Sequence, residues 1–369
     1  MMRVRSVAPA AALGLALVVA VVLSVLPAGC GMVSAAQPSG SAPHVTLAGI
    51  LSGRFTTRVP EPAFLCFPTD DNSHSVYEIG TLKVHRPKVL PVYLMGGSNV
   101  REAVLSPAAM QAALKQATGV TTKVVTFAAP FQKIAADLAL IDNLPRGPGV
   151  VVISVNPADF AWGDRAADAE DKGVPLLLKS AALDALLRRE GHTPAGTVAL
   201  GYERYLESYR KHNAAALQAG TRPWNVYKLH ECNLRAESRP VQERILERWL
   251  RGAGKPGGAF DIYHAFWLRA LTAAADLAHA RGYVVVISEA SYNTTLVGAR
   301  FDSYHKAYVP ACRRIARKGG GRYVDPNASA QLTAGDFRDL YHVLATGRPK
   351  WTSALARLLA PAVLRAAKG

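Results

Sequence analysis

Pro91-Val92-Tyr93-Leu94-Met95-Gly96-Gly97-Ser98-Asn99-Val100-Arg101-Glu102 is the stretch from which the rest of the chain is read. An apolar run ends in two glycines, then a serine, then a polar segment compatible with a helix. That order predicts a buried strand, a tight turn and a serine at a helix start. The glycines open backbone conformations that a Cβ would block. A serine so placed has its hydroxyl at the carboxyl end of a strand, where open α/β sheets bind their ligands. Amides at the helix start favour a developing negative charge there. Ser98 is therefore the candidate nucleophile, with a serine that merely caps a helix as the plain alternative.

Outward from this stretch the pattern repeats. Strands are expected at 89–95, 122–127, 150–155, 283–288 and 322–324, each short, apolar and rich in β-branched residues. Between them helices are expected at 107–118, 131–144, 263–280 and 304–317, with a closing helix at 351–367. Strands apolar on both faces belong inside a parallel sheet. Their alternation with helices implies βαβ units and a three-layer α/β/α sandwich with a five-stranded parallel sheet, flavodoxin-like in architecture. Further helices at 176–189, 198–219 and 239–251 make a helical insertion, 160–260, between strands three and four. Tyr202, Tyr205, Tyr209, Trp224, Tyr227 and Trp249 crowd that interval. A packing cluster is the favoured reading of these rings, and a cap over the sheet edge the alternative.

The amino-terminal quarter reads differently. Arg3 and Arg5 precede an almost unbroken apolar run over 7–29, long enough to cross a bilayer as a helix. Arginines before the run and few charges after it place the body outside the cytoplasm. Residues 1–36 thus read as a signal peptide or membrane anchor. Small residues at 33–36 offer cleavage sites, and Leu26-Pro27-Ala28-Gly29-Cys30 resembles a lipoprotein box. Residues 37–87 follow as a Pro/Ser/Gly/Ala-rich tether and an amino-terminal arm, and 88–369 form the main domain. Outside the cytoplasm cysteines pair, so one bridge among Cys66, Cys232 and Cys312 is expected, with its partners left open.

Lysines and arginines number 43 against 27 acidic residues, a formal net charge of +16. That balance calls for an anionic neighbour. No zinc-finger spacing or RNA-binding aromatic signature accompanies it, so nucleic acid is not the expected partner. No Cys-x-x-Cys or His-Glu-x-x-His spacing occurs, and neither a metal nor a cofactor is expected.

A nucleophilic serine needs a base. Gly335-Asp336-Phe337-Arg338-Asp339-Leu340-Tyr341-His342 follows the fifth strand, and its Asp339 and His342 stand three residues apart. In a tight turn that spacing brings the carboxylate to one imidazole nitrogen and leaves the other for Ser98. Asn156, directly after strand three, lies at the same sheet edge, where its amide can donate to an oxyanion.

These blocks together resemble the SGNH/GDSL hydrolases, most closely their bacterial extracytoplasmic, membrane-anchored branch, from about Val89 to the carboxyl terminus. The resemblance implies Ser98 as nucleophile, His342 as base and Asp339 as its orienting carboxylate. It implies an oxyanion hole built from Ser98, Asn156 and an N–H at Ala128, where the family's second block carries a glycine. Asn99 stands where the GDSL variant has aspartate, and Ser154 replaces the usual glycine of the third block. The Gly-x-Ser-x-Gly elbow of α/β-hydrolases is not met, because Val100 occupies its last place. The expected function is an extracytoplasmic serine esterase or O-acyltransferase acting on an acyl ester of a cell-envelope glycan or lipid. A non-catalytic envelope-binding or assembly protein on the same fold is the alternative.

Overall fold

The computed structural model describes residues 85–129, 132–161, 180–191 and 235–369, together with Ser75, Glu78, Ile79, Leu82 and Lys83. Strands β1 (Leu90–Gly96), β2 (Thr122–Ala128), β3 (Gly149–Val155), β4 (Tyr283–Glu289) and β5 (Arg322–Val324) form one sheet in the order β2-β1-β3-β4-β5. Every pairing in it is parallel. The helices are α1 (Ser98–Ala103), α2 (Pro107–Thr118), α3 (Ile134–Asn143), α4 (Pro157–Ala161), α5 (Ala181–Arg189), α6 (Arg239–Ala253), α7 (Ala259–Ala280), α8 (Thr294–Val297), α9 (Asp302–Lys318), α10 (Pro326–Ser329) and α11 (Arg348–Ala366).

The period of two along each strand sorts the core into two layers. Tyr93, Met95, Phe127, Val151, Ile153, Val285 and Ile287 face one way, against residues of α3, α5, α6, α7 and α9 such as Leu138, Leu186, Leu246, Trp267 and Tyr308. Val92, Leu94, Val124, Val150, Val152 and Val286 face the other way, against Met110, Leu114, Trp351, Leu355 and Leu359 of α2 and α11. Each fully buried Val, Leu or Ile contributes roughly 1.5–3 kcal/mol. A sheet apolar on both faces is therefore stable only with helices on both sides, as the three-layer expectation required.

Strand order sets the site. The chain runs from β1 outward to β2, then returns past β1 to β3. A crevice opens at such a reversal, outside the carboxyl ends of the strands that flank it. Here those strands are β1 and β3, which lead directly into Ser98 and Asn156.

Several boundaries differ from the sequence reading for local reasons. α3 starts at Ile134 rather than 131, because Gln132 is held in a turn. Its backbone N–H donates to the Ala129 carbonyl at 3.1 Å, and its side-chain amide donates to the Phe127 carbonyl and the Asp137 carboxylate. α7 starts at Ala259, four residues before 263, directly after Gly257 and Gly258. α11 starts at Arg348, with Pro349 in its first turn, where a missing N–H costs nothing. The helix expected at 198–219 and the rings of residues 202, 205, 209, 224 and 227 lie outside the described residues. Trp249 is buried, its ring 4.8 Å from Phe301 and 5.1 Å from Tyr304 between centroids. It is a packing residue.

Cys312 is a free, fully buried thiol on α9. The bridge expected among three cysteines therefore does not involve it. Cys30, Cys66 and Cys232, like the whole apolar run at 7–29, lie outside the described residues. Among the described residues no helix is long and apolar enough to cross a membrane.

Candidate active site

The turn after β1 depends on Gly96. Its φ is +148°, in the region that L side chains rarely adopt. A Cβ there would sit 2.7 Å from Val100 Cγ2 and 3.0 Å from Ser154 Cβ. With no side chain at that point, β1 turns directly into α1, which starts at Ser98 with Gly97 as N-cap. The Val100 N–H donates to the Gly97 carbonyl at 3.0 Å and to the Asn99 side chain at 2.9 Å. Ser98 therefore keeps its hydroxyl free of capping work, against the plain alternative of a capping serine.

The second half of the site is a closed loop after β5. An isolated antiparallel bridge joins Phe337 to Val343. The Arg338 N–H donates to the His342 carbonyl at 2.8 Å, and the Leu344 N–H donates to the Asp336 carbonyl at 2.7 Å. Inside this loop Asp339 Oδ1 accepts from the backbone N–H groups of Tyr341 and His342, at 2.9 and 3.0 Å. The carboxylate is thereby oriented before the imidazole meets it. His342 Nδ1 then lies 2.8 Å from Asp339 Oδ2 and 3.0 Å from Oδ1.

The two halves meet. His342 Nε2 lies 3.0 Å from Ser98 Oγ, across 244 residues of sequence. With Nδ1–H donating to Asp339, Nε2 is the acceptor that faces the serine hydroxyl. Burial alone would raise the Asp339 carboxyl. The hydrogen bond and charge of His342 and the two backbone donors outweigh it and bring the carboxyl down to about 2. Burial alone would lower the His342 imidazole, but the Asp339 hydrogen bond and charge, with a contribution from Glu102, raise it above its ordinary value. A fixed tautomer, an ionised orienting carboxylate and a base within reach of a hydroxyl are what nucleophilic catalysis by serine requires.

Asn156 follows the carboxyl end of β3 as Ser98 follows that of β1, and the two strands are neighbours whose register pairs Met95 with Ile153. Its backbone N–H donates to Asp159 Oδ2 at 2.8 Å, and its Oδ1 accepts from the Ala158 N–H at 2.7 Å. That bond fixes which way the amide faces and leaves its NH2 without a partner among the described residues. The Ser98 N–H is likewise unengaged among them. Ala128 ends β2 opposite Gly96 and is buried. The following N–H, of Ala129, is committed to the Gly96 carbonyl at 3.2 Å. Among the described residues no hydrogen bond joins Ala128 to the side chains of Ser98, Asp339 or His342.

Two features escaped the sequence reading. Glu102 lies four residues after Ser98 on α1, buried and ion-paired with Arg101 at 2.9 Å, and its charge acts on His342. The i, i+4 spacing from Ser98 was its only sequence signal. The other is the segment Ala290–Asn293 directly after β4, whose contacts with both halves of the site no periodicity announces. A scan of the sequence against protein-family models returns no match, and neither does a search of the curated proteins.

Proposed function

We propose that this protein is a serine esterase or O-acyltransferase of the SGNH/GDSL type, working outside the cytoplasm on an acyl ester. The observation that carries the reading is the unbroken line from Ser98 Oγ through His342 to Asp339, with bonds of 3.0 and 2.8 Å. Ser98 Oγ attacks the ester carbonyl carbon while His342 Nε2 takes the hydroxyl proton. The carbonyl oxygen becomes an oxyanion, held by the Asn156 NH2 and the Ser98 N–H. One such donor lowers the barrier by about 3 kcal/mol. The tetrahedral intermediate collapses, the C–O bond to the alcohol breaks, and His342 returns the proton to the leaving oxygen. Ser98 is left acylated. Water activated by His342 then completes hydrolysis, whereas a sugar hydroxyl in its place completes acyl transfer. No step calls for a metal or a cofactor.

An amino-terminal segment read as a signal or anchor and a net charge of +16 favour an acylated glycan or lipid of the cell envelope as substrate. The test is hydrolysis of p-nitrophenyl acetate by the full-length chain in detergent, beside Ser98→Ala. The expected result is loss of essentially all turnover in the variant. Equal rates reject the nucleophile.

One observation favours a second reading, a non-catalytic envelope-binding or assembly protein on this fold. The Ala129 N–H is consumed by Gly96, and no glycine stands in the second block to open another donor. A fluorophosphonate that fails to label Ser98 in the folded protein decides for this reading.

A further inference from the structure

We infer, building on the triad reading above, that Ser291 is a positioning residue whose buried hydroxyl couples the main chain beside the nucleophile to the main chain beside the base. Ser98 and His342 belong to separate pieces of chain. Asp339 and His342 are fixed to each other within one loop by the two backbone bonds to Asp339. Ser98 is fixed within the turn after β1. No local interaction sets the 3.0 Å between the two pieces.

Ser291 stands where they meet. It has no exposed surface. Its Oγ donates to the Tyr341 carbonyl at 2.8 Å and lies 3.3 Å from the Asn99 carbonyl, also as donor. Tyr341 immediately precedes His342, and Asn99 immediately follows Ser98. One hydroxyl proton shared between these two carbonyls therefore ties the main chain next to Ser98 to the main chain next to His342.

The segment that carries Ser291 is itself held. The Ala290 N–H donates to the Val155 carbonyl at 2.8 Å, next to Asn156. Asn327 accepts from the Tyr292 N–H at 3.1 Å and donates to the Ala290 carbonyl at 2.9 Å. The Asn293 N–H donates to the Leu340 carbonyl at 2.9 Å. The hydroxyl thus acts from a fixed support that also touches the strand leading to the oxyanion donor. Ser288 provides the contrast: nearly as buried, it donates to the carbonyl of its own neighbour Glu289 and joins nothing distant.

The experiment uses the full-length chain in detergent, with p-nitrophenyl acetate as substrate and a fluorophosphonate to count competent sites. Misplacing a reacting group by a fraction of an ångström to 1 Å slows turnover by about ten- to a hundredfold. Ser291→Ala is therefore expected to lose that much in kcat per titrated site, with KM changed by less than about twofold. The acid limb of its pH profile stays in place, because the Asp339–His342 pair is local to its own loop. Ser291→Thr, which keeps the hydroxyl, recovers most of the rate, and Ser288→Ala matches wild type. A loss of folded protein lowers the number of titrated sites, not kcat per site. Should Ser291→Ala fold poorly, Ser291→Cys keeps the volume with a weak donor and is expected to be slowed as Ser291→Ala is. Full kcat per site in either variant overturns the role of Ser291 alone. A wild type no faster than Ser98→Ala overturns the triad reading and this role with it.

Discussion

Replacing Asp339 by asparagine is the sharpest test of the charge arrangement. The two backbone donors, Tyr341 N–H at 2.9 Å and His342 N–H at 3.0 Å, both point at Oδ1. They will hold the amide oxygen of the new side chain in that position. Its NH2 then takes the place of Oδ2, 2.8 Å from His342 Nδ1. Two N–H groups cannot face each other at that distance, and the amide oxygen at Oδ1, 3.0 Å from the same nitrogen, is already occupied by its two backbone donors, so the imidazole shifts its proton to Nε2. The nitrogen facing Ser98 becomes a donor and no longer accepts the hydroxyl proton. A wrong tautomer with geometry intact costs about 10⁴-fold in kcat in a serine triad, or roughly 5 kcal/mol of barrier.

The same variant has a pH signature. In the proposed mechanism His342 acts as a base when neutral, and its raised pKa delays that form to pH values above the ordinary 6.5. The wild-type rate should therefore climb with pH through a point above 6.5. Asp339→Asn removes both the hydrogen bond and the charge that raise the imidazole, so the acid limb of its residual activity moves to lower pH. The assay is kcat for p-nitrophenyl acetate between pH 5 and 9, normalised to sites titrated by a fluorophosphonate. A variant that keeps more than about a tenth of wild-type kcat would refute the tautomer reasoning.

Three further outcomes follow from named contacts. Asn156→Ala should lower kcat by about 10²–10³-fold and change KM far less, since its NH2 meets charge that develops only in the transition state; equal losses in kcat/KM through KM alone would point to substrate binding instead. Gly96→Ala forces a Cβ to 2.7 Å from Val100 Cγ2 at a φ of +148°, so it should cost about 1–3 kcal/mol in urea unfolding and displace Ser98, and a variant with unchanged stability and rate would show that the turn tolerates the side chain. Asp137 is almost fully buried, its carboxylate accepting from the Gln132 amide at 2.6 Å as its side-chain partner among the described residues, and burial raises its carboxyl from 3.8 to about 8. Between those values the unfolded chain releases a proton that the folded chain keeps, so stability falls as pH rises; Asp137→Asn removes that loss, and its advantage should grow by about 1 kcal/mol per pH unit between pH 5 and 7 in denaturant titrations. A pH-independent difference would contradict the burial argument.

The limits of sequence reading show in particular residues. The strands and most helices were legible because periods of two and 3.6 are local. Val150 to Val155 is apolar at every position but Ser154, and every one of its residues is buried. Boundaries failed where a side chain overrode the pattern, as at Gln132, whose three hydrogen bonds delay α3. The Asp339–His342 pair was also legible, because three residues in a closed loop leave the carboxylate little choice of partner. Ser291 was not, since a serine in a loop looks alike whether its hydroxyl meets water or two carbonyls from distant segments.

By itself, then, the order of residues determined the layers of the sheet, the glycine turn that frees Ser98, and the pairing of Asp339 with His342. All of these follow from interactions among near neighbours in the chain and from the alternation of apolar and polar positions. Only the tertiary structure decided that the serine hydroxyl and the imidazole stand 3.0 Å apart across 244 residues. It also settled that Cys312 is buried and unbridged, and that Ser291 spans the seam between the two halves. Contacts between distant segments are set by how buried faces pack on a common sheet, and no window of sequence contains that packing.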